Sequence, residues 1–406
     1  MAVLVLNAGS SSLKFALYEP ARSTSYSPIH FEVIFAGAVK GIGHHVTMDL
    51  RGHAIASERS AAIQTHEDAV RWVVEQVKDR PIESVGHRVV HGGRWFTHTA
   101  VIDNVVLARL EELARLAPLH YAGSLAGIRT VRSHLGDQVP PMAAVFDTTF
   151  HLTIPDYVAT YAIPRDFSAR HAIRRYGFHG LAHASSAARY ATFRGSSPDQ
   201  VNLITVHLGN GCSATAIRGG RSVDTSMGFT PLEGLVMGTR CGDLDPAIVS
   251  FLAEQEDLSA KEIEQILNTR SGLLGLSGLS SDMAELMRAE RAGHSGARLA
   301  IDVFCYRVRK YIGAYLAVLG RVDAVLFSGG IGEHAPDIRA RICNGMDWCG
   351  MDLVPDANAG VNGLEPGEIV CVSKDGAALP VYVTGVDEEG EIARETVACF
   401  SPTIGP

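Results

Sequence analysis

Apolar positions along the chain recur with two different periods, and each change of period marks an element. Val3, Leu4, Val5 and Leu6 form a continuous run that breaks at Asn7-Ala8-Gly9-Ser10-Ser11-Ser12, after which Leu13, Phe15 and Leu17 alternate with Lys14, Ala16 and Tyr18. The pattern predicts a buried strand, a tight polar turn and a second strand. Residues 31–46, punctuated by Gly37, Gly41 and Gly43, continue as further antiparallel strands. The period then lengthens: Val70, Val73, Val74 and Val77 predict an amphipathic helix from His66 that closes before Pro81, and Leu107, Leu110 and Leu113 mark a second one ending towards Pro118, with His120 just after it. Two buried strands, at residues 84–95 and 142–150, carry an arginine, Arg88, and an aspartate, Asp147.

The second half repeats this grammar. Residues 203–217, LITVHLGNGCSATAI, are again an apolar run, a Gly/Asn turn (Gly209-Asn210-Gly211-Cys212-Ser213) and a second run. Two hairpins of one design suggest two related half-molecules. A third glycine-rich turn, Ser328-Gly329-Gly330-Ile331-Gly332-Glu333, follows the apolar strand at residues 324–327, itself fed by a long helix over 299–319 with Leu299, Val303 and Tyr306 on one face. Between these lie a basic cluster, Arg174-Arg175-Tyr176-Gly177-Phe178-His179-Gly180, an alanine-rich helix near 182–190, and a loop over 227–246 whose glycine density fits a mobile or closely approached site. Residues 381–396 end the pattern with a strand, an acidic turn (Asp387, Glu388, Glu389) and a short helix.

Composition narrows the class. With 406 residues, 46% of them hydrophobic and 20% charged, the chain can bury two substantial cores. A formal net charge of -8 argues against sequence-independent nucleic-acid binding, which rests on lysine and arginine meeting phosphates. No basic region precedes the first apolar run and no stretch approaches the ~18 apolar residues of a spanning helix, so we expect a cytoplasmic protein with no membrane partner. The seven cysteines include no Cys-x-x-Cys pair and read as reduced thiols rather than disulfides or zinc ligands.

Candidate chemistry follows from the turns. Gly9 and three serines let the backbone approach an anion closely, and Lys14 adds a point charge. The turn is not a Walker A loop, since it lacks the second glycine before lysine and leads into a strand. One such hairpin is common in globular proteins; three glycine turns converging on one cleft would cradle a nucleotide. Arg88, followed by Gly92-Gly93, suits a pocket for an anionic substrate, because its planar fork matches carboxylate or phosphate, although an arginine paired with a structural carboxylate would look the same. Asp147 could cap a turn, or hold a metal or a proton.

Taken together, LNAGSSSLKF, VGHRVVHGG, VFDTTFH, RRYGFHG, HLGNG, GFTPLEGLVMGTRCGDLDP, SGGIGE and EEGEIARET resemble the acetate kinases, of the superfamily of acetate and sugar kinases, heat-shock chaperones and actin. The resemblance spans the chain. It implies an α/β fold of two duplicated actin-like (ribonuclease H-like) domains, each a mixed five-stranded sheet flanked by helices, with a nucleotide in the cleft between them. The domains would be residues 1–150, completed by 386–406, and 151–385. It also implies a homodimeric transferase that moves the ATP γ-phosphoryl group reversibly to acetate, giving acetyl phosphate and ADP by in-line displacement with Mg²⁺ or Mn²⁺.

By motif, Asn7 and Glu388 become metal positions, Arg88 a substrate contact, Asp147 the catalytic acidic residue, and His179 and Arg240 the groups that stabilise the transition state. The acceptor would lie against Val90, Leu119, His120, Phe178 and Pro231. The nucleotide would face Ser10, Ser12, Lys14, His207-Leu208-Gly209-Asn210-Gly211, Asp282-Met283-Ala284 and Gly330-Ile331-Gly332-Glu333-His334. A carboxylate acceptor is already ionised at neutral pH, so the task is to bring two anions together, which is work for cations. Asp147 is then expected to position a metal or an arginine. Three positions depart from the family pattern: Tyr121 replaces an asparagine, Ala284 an arginine, and Thr384-Gly385-Val386-Asp387 an Ile-Pro-Thr-Asn run. Alternatives are a propionate or butyrate kinase of the same family, or an ATP-driven clamp like actin, which needs no cationic acceptor pocket.

Overall fold

A computed structural model describes residues 2–9, 11–20, 31–43, 45–51, 63–114, 118–136 and 139–401, the side chains of residues 20, 51 and 118–120 excepted. The chain divides into two compact units, Met1–Thr149 with Glu388–Pro406, and Phe150–Asp387.

In the first unit the opening hairpin forms as its pattern predicts: β1 (Val3–Ala8) pairs antiparallel with β2 (Ser12–Pro20), from Val3 opposite Tyr18 to Ala8 opposite Leu13. β3 (Phe31–Lys40) and β4 (Thr47–Arg51) extend the meander. Two crossovers then add β5 (Ser84–Val89) parallel to β1 and, after the two-residue β6 (Ala100–Val101), β7 (Met142–Phe146) parallel to β5. The order is β4-β3-β2-β1-β5-β7-β6. The expected five strands are its middle, and β4 and β6 widen it to seven among the described residues.

Alternation along β5 shows how both faces are covered. A Cβ on Gly86 would meet Thr396 Oγ1 at 2.3 Å and Ile392 Cγ2 at 2.9 Å, so the helix Glu388–Phe400 sits directly on that face. The next residue, His87, points the other way, towards Gly127 of the helix Pro118–Leu135. Beside that helix runs His66–Val77, started by a reciprocal Thr65–Asp68 capping box and burying Ala69, Val70, Val73, Val74 and Val77. Burial of its four valines contributes on the order of 6 kcal/mol before entropy is counted.

The second unit repeats the topology. Its meander is β8 (Leu203–Leu208), β9 (Cys212–Arg218) and β10 (Arg221–Thr225); β11 (Ala324–Ser328) lies parallel to β8, and β13 (Val381–Thr384) parallel to β11. With β12 (Ile369–Cys371) on the edge, the order is β10-β9-β8-β11-β13-β12. In both units three antiparallel strands are followed by two parallel additions beside the first strand, which is the mark of duplication. Again an edge strand carries the sheet beyond five, to six among the described residues.

Three local expectations change. The acidic segment is no turn: Glu388 and Glu389 open the helix Glu388–Phe400, where negative charge complements the N-terminal end of the dipole. The glycine-rich segment after β11 winds into a short helix, Gly329–His334. The long helix, Ser295–Leu319, buries Ala300, Ile301, Phe304, Val308 and Ile312, while Leu299 and Tyr306 are 54% and 64% exposed. Among the described residues no helix is long and apolar enough to cross a membrane. All seven cysteines are unpaired.

Candidate active site

Each unit gathers polar side chains at the carboxyl ends of its parallel strands, the edge at which open α/β sheets bind ligands. In the first unit the parallel register sets Arg88 on β5 opposite Val145 on β7, so Asp147, just past β7, lies beside it. Arg88 donates to Asp147 Oδ2 through Nε at 3.1 Å and Nη2 at 2.5 Å, and Nη1 reaches the Ala8 carbonyl at only 3.5 Å. Asp147 is 2% exposed. Burial raises its pKa while Arg88 pulls it back. Burial likewise opposes the charge on Arg88, but Asp147, Glu388 and Glu389 outweigh it and hold the guanidinium protonated.

Asn7, at the end of β1, donates through Nδ2 to Glu388 Oε2 at 2.9 Å and Glu389 Oε1 at 2.7 Å, and Lys14 Nζ stands 3.9 Å from Glu388. The first and last segments of the chain therefore meet. Burial raises the pKa of Glu389, Lys14 counters this, and Glu388 adds to it. The carboxylates of Asp147, Glu388 and Glu389 thus repel one another, and a divalent cation would relieve that repulsion. No three His, Cys, Asp or Glu side chains among the described residues are grouped to enclose a metal. A donor set of one or two carboxylates and an amide oxygen fits Mg²⁺, which keeps several waters and is completed by substrate phosphates. The neighbouring turn is tied down, with His66 Nε2 2.9 Å from the Gly9 carbonyl.

In the second unit the turn between β8 and β9 is the focus. A Cβ on Gly211 would lie 3.2 and 3.3 Å from His179 Cε1 and Nε2 and 3.6 Å from Arg240 Nη1, so imidazole and guanidinium converge on this glycine. His179 immediately precedes the helix Gly180–Phe193 with φ 58° and ψ 26°, a left-handed conformation that costs a non-glycine residue free energy. Arg240 donates from Nη1 to the Pro231 carbonyl at 3.3 Å and to Met237 Sδ at 3.7 Å, and burial lowers its pKa. It forms no ion pair with an acidic side chain among the described residues.

The loop that carries Arg240 is pinned. Arg175 joins its start through Glu233 at 2.5 Å and the carbonyls of Thr225, Ser226 and Met227, while Arg307 and Tyr311 hold Asp243 at its end. Its glycines mark close approach: a Cβ on Gly228 would overlap Glu233 Oε2 at 1.7 Å, and one on Gly238 would meet Asn210 Oδ1 at 2.2 Å.

A cleft of about 760 Å³ in the second unit brings together three of the predicted nucleotide segments. Gly209 and Asn210, Asp282, Met283 and Ala284, and Gly330, Ile331 and His334 line it, joined by Ser281, Met287, Arg288, Arg291 and Ala335. Sequence reasoning missed these last five. Positions 284, 288 and 291 stand at i, i+4 and i+7 on the helix Met283–Arg291, a readable spacing. Arg291 is engaged with Asp337 at 3.2 Å; Arg288 has no such ion pair among the described residues.

The remaining predicted residues take other places. Leu208 is fully buried in β8, His207 Nδ1 lies 3.1 Å from Ser328 Oγ, and Glu333 Oε1 accepts from the Gly329 N–H at 3.0 Å. Gly332 packs on Phe327 and Leu208. Ser12 and Lys14 belong to the first unit, and Ser10 lies outside the described residues. Of the acceptor residues, Val90 is half-buried, Phe178 is buried with its carbonyl 3.0 Å from His151 Nε2, and Pro231 is buried. For Leu119 and His120 only the backbone is described, within Pro118–Leu135. Two departures have structural causes. Tyr121 is buried and donates its hydroxyl to the His91 carbonyl, and Gly385 donates its N–H to Glu368 at 3.0 Å where a Cβ would meet the Glu365 carbonyl at 2.2 Å, so proline could not serve there.

Comparison with known proteins agrees over the whole length. Residues 2–394 match the sequence profile of the Acetokinase family. An acetate kinase of Solibacter usitatus is 49% identical, with 98% of each chain covered, and one of Methanosarcina thermophila is 43% identical, covering 98% of this chain and 96% of its own. Among solved structures, the acetate kinase of Porphyromonas gingivalis superposes with a TM-score of 0.85 at 37% identity over 98% of this chain and 100% of the other. A propionate kinase from Francisella tularensis gives 0.86 at 35% identity, over 98% and 99%.

Proposed function

We propose, from the premise that this chain belongs to the acetokinase family, that it transfers the γ-phosphoryl group of ATP to acetate, reversibly, giving acetyl phosphate and ADP. The observation that carries the reading is the convergence of Arg240 and His179 on Gly211. A largely buried guanidinium whose partners are a carbonyl and a thioether is stabilised by an arriving anion. Both groups suit the equatorial oxygens on which transfer concentrates charge. The adjoining cleft seats the nucleotide, with Met283, Met287 and Ile331 offering apolar surface to a base and Arg288 a guanidinium one helical turn beyond Ala284.

On the first unit Arg88 binds the acceptor. Asp147 fixes two of its nitrogens and leaves Nη1, with its long contact to Ala8, for a carboxylate oxygen. Asp147 is an orienting residue here, since an ionised acceptor has no proton to give up. Glu388 and Asn7 would hold Mg²⁺ or Mn²⁺, which when bound offsets the phosphate charge. Val90, two residues beyond Arg88, limits the acceptor's size.

The reading includes a cytoplasmic homodimer. Support for the homodimer is the helix Ala247–Glu256, which buries none of its residues and exposes 60% of Phe251, together with exposed Leu299 and Tyr306. A steady-state panel of acetate, propionate and butyrate with ATP, read as hydroxamate-forming acyl phosphate, tests the function. Acetate should give the highest kcat/KM, propionate a lower one and butyrate the lowest, since each extra methylene in a fitted apolar pocket is worth about 1–3 kcal/mol. A higher value for propionate or butyrate would replace acetate as the substrate, and no acyl phosphate from any would refute the kinase reading.

A further inference from the structure

Behind His179 lies an unbroken chain of buried polar side chains. Ser213, the second residue of β9, is fully buried, and its Oγ lies 2.9 Å from His179 Nδ1 and 2.7 Å from His183 Nε2. His183 is 1% exposed, and its Nδ1 lies 2.8 Å from Thr205 Oγ1, itself 1% exposed. Sequence order places the parts: His183 follows His179 by one helical turn along Gly180–Phe193, and Thr205 and Ser213 stand diagonally across the β8–β9 hairpin, Thr205 opposite Thr215 and Ser213 opposite His207.

A serine hydroxyl has one proton. Between two ring nitrogens it donates to one and accepts from the other, so the chain has a direction and the two rings cannot be set independently. Burial pushes the His183 imidazole well below its ordinary pKa, and the rings of His151, His207 and His179 add to the effect, so His183 carries one N–H. When Thr205 donates to His183 Nδ1, His183 Nε2 donates to Ser213, Ser213 donates to His179 Nδ1, and a neutral His179 carries its proton on Nε2. When the direction reverses, Nδ1 of His179 becomes the donor. In either case Nδ1 is engaged by Ser213, which turns the Cε1–Nε2 edge towards Gly211.

We propose that Ser213 and His183 are positioning residues for phosphoryl transfer, holding His179 by Nδ1 so that its Nε2 is presented over Gly211. The same clamp opposes the local strain of the left-handed backbone at His179. The inference rests on the assignment of His179 to the transferring phosphoryl group, and the tests separate the two.

Three variants are compared: Ser213→Ala, His179→Ala and the double. Ser213→Ala should lower kcat by about 10- to 100-fold, the range for loss of a hydrogen bond to a group that stabilises charge. KM for acetate and for ATP should stay within about threefold. In the His179→Ala background the serine substitution should cost nothing further, because it acts through that ring. Ring ¹⁵N resonances of His179 should show a hydrogen-bonded Nδ1 in the wild type that is lost in Ser213→Ala, and Ser213→Thr, which keeps the hydroxyl, should recover kcat. If Ser213→Ala keeps kcat within twofold, or its loss multiplies with that of His179→Ala, the positioning role is wrong. If Ser213→Ala fails to fold, Ser213→Cys, a weaker hydrogen-bonding group of similar shape, must show the kcat loss with unchanged KM values, and full kcat in that variant overturns the role equally. If His179→Ala itself turns over at the wild-type rate, it is the assignment of His179 that falls.

Discussion

Asp147→Asn asks what the buried carboxylate beside Arg88 is for. Asparagine keeps the shape and one accepting oxygen but removes the charge, so the bonds from Arg88 Nε and Nη2 persist as weaker, neutral-acceptor contacts. A charge-assisted hydrogen bond is worth about 1.5–3 kcal/mol and roughly twice a neutral one, so the change should cost on the order of 1–2 kcal/mol in the hold on Arg88. That corresponds to about 5- to 30-fold in kcat/KM for acetate. Glu388 and Glu389 still balance the guanidinium, and the fold should survive. KM for ATP should move less than about threefold. Arg88→Ala should lower turnover by at least ~100-fold, by analogy with removal of a transition-state donor, and adding Asp147→Asn to it should do no further harm, since Asp147 works through Arg88. Steady-state rates of the two single variants and the double complete the cycle. Losses that multiply in the double variant would show that Asp147 acts on its own, and the account of the pair would be refuted.

Arg288→Ala should raise KM for ATP by about 10-fold with little change in kcat, because a guanidinium facing a bound nucleotide contributes equally to ground and transition states; an unchanged KM would remove Arg288 from the nucleotide seat. Glu388→Gln should raise the Mg²⁺ concentration for half-maximal rate by about 10-fold while the protein remains folded, and an unaltered Mg²⁺ titration would displace the metal from this position. Burial depresses His87 to about 3 and His151 to about 4, below the ordinary 6.5. Such groups take up protons more readily when unfolded, so their contribution is complete above about pH 6.5 and declines as the pH falls towards 4. At pH 5 each should have lost about 2 kcal/mol. Urea midpoints at pH 7.5 and pH 5 measure this, and a midpoint that does not fall would contradict it.

The meanders were legible because their strands are short apolar or alternating runs bounded by turns that carry glycine, asparagine and serine; Val70, Val73, Val74 and Val77 likewise left one helical face to choose. Ser295–Leu319 was legible as a helix but its buried face was not: Leu299, Val303 and Tyr306 obey helical spacing as well as the buried set does, and periodicity alone cannot say which stripe meets the sheet. Glu388 and Glu389 looked like a turn since they stand between Asp387 and Gly390, and acidic residues favour turns and first helical turns alike. Arg88 and Asp147 were each legible as candidates, but their pairing depends on β5 and β7 lying side by side, a contact 59 residues apart in sequence. Ser213 and His183 gave no signal at all, as a serine in a strand and a histidine in a helix become informative only when both are known to surround one ring.

The proposed role of the Arg240 guanidinium beside Gly211 is to stabilise charge as the phosphoryl group is transferred. The most direct measurement is kcat for Arg240→Ala with saturating ATP and acetate, taken beside its ATP affinity and its unfolding temperature. kcat should fall by at least ~100-fold, with ATP affinity within about threefold and the unfolding temperature preserved. A variant that turns over near the wild-type rate would contradict it.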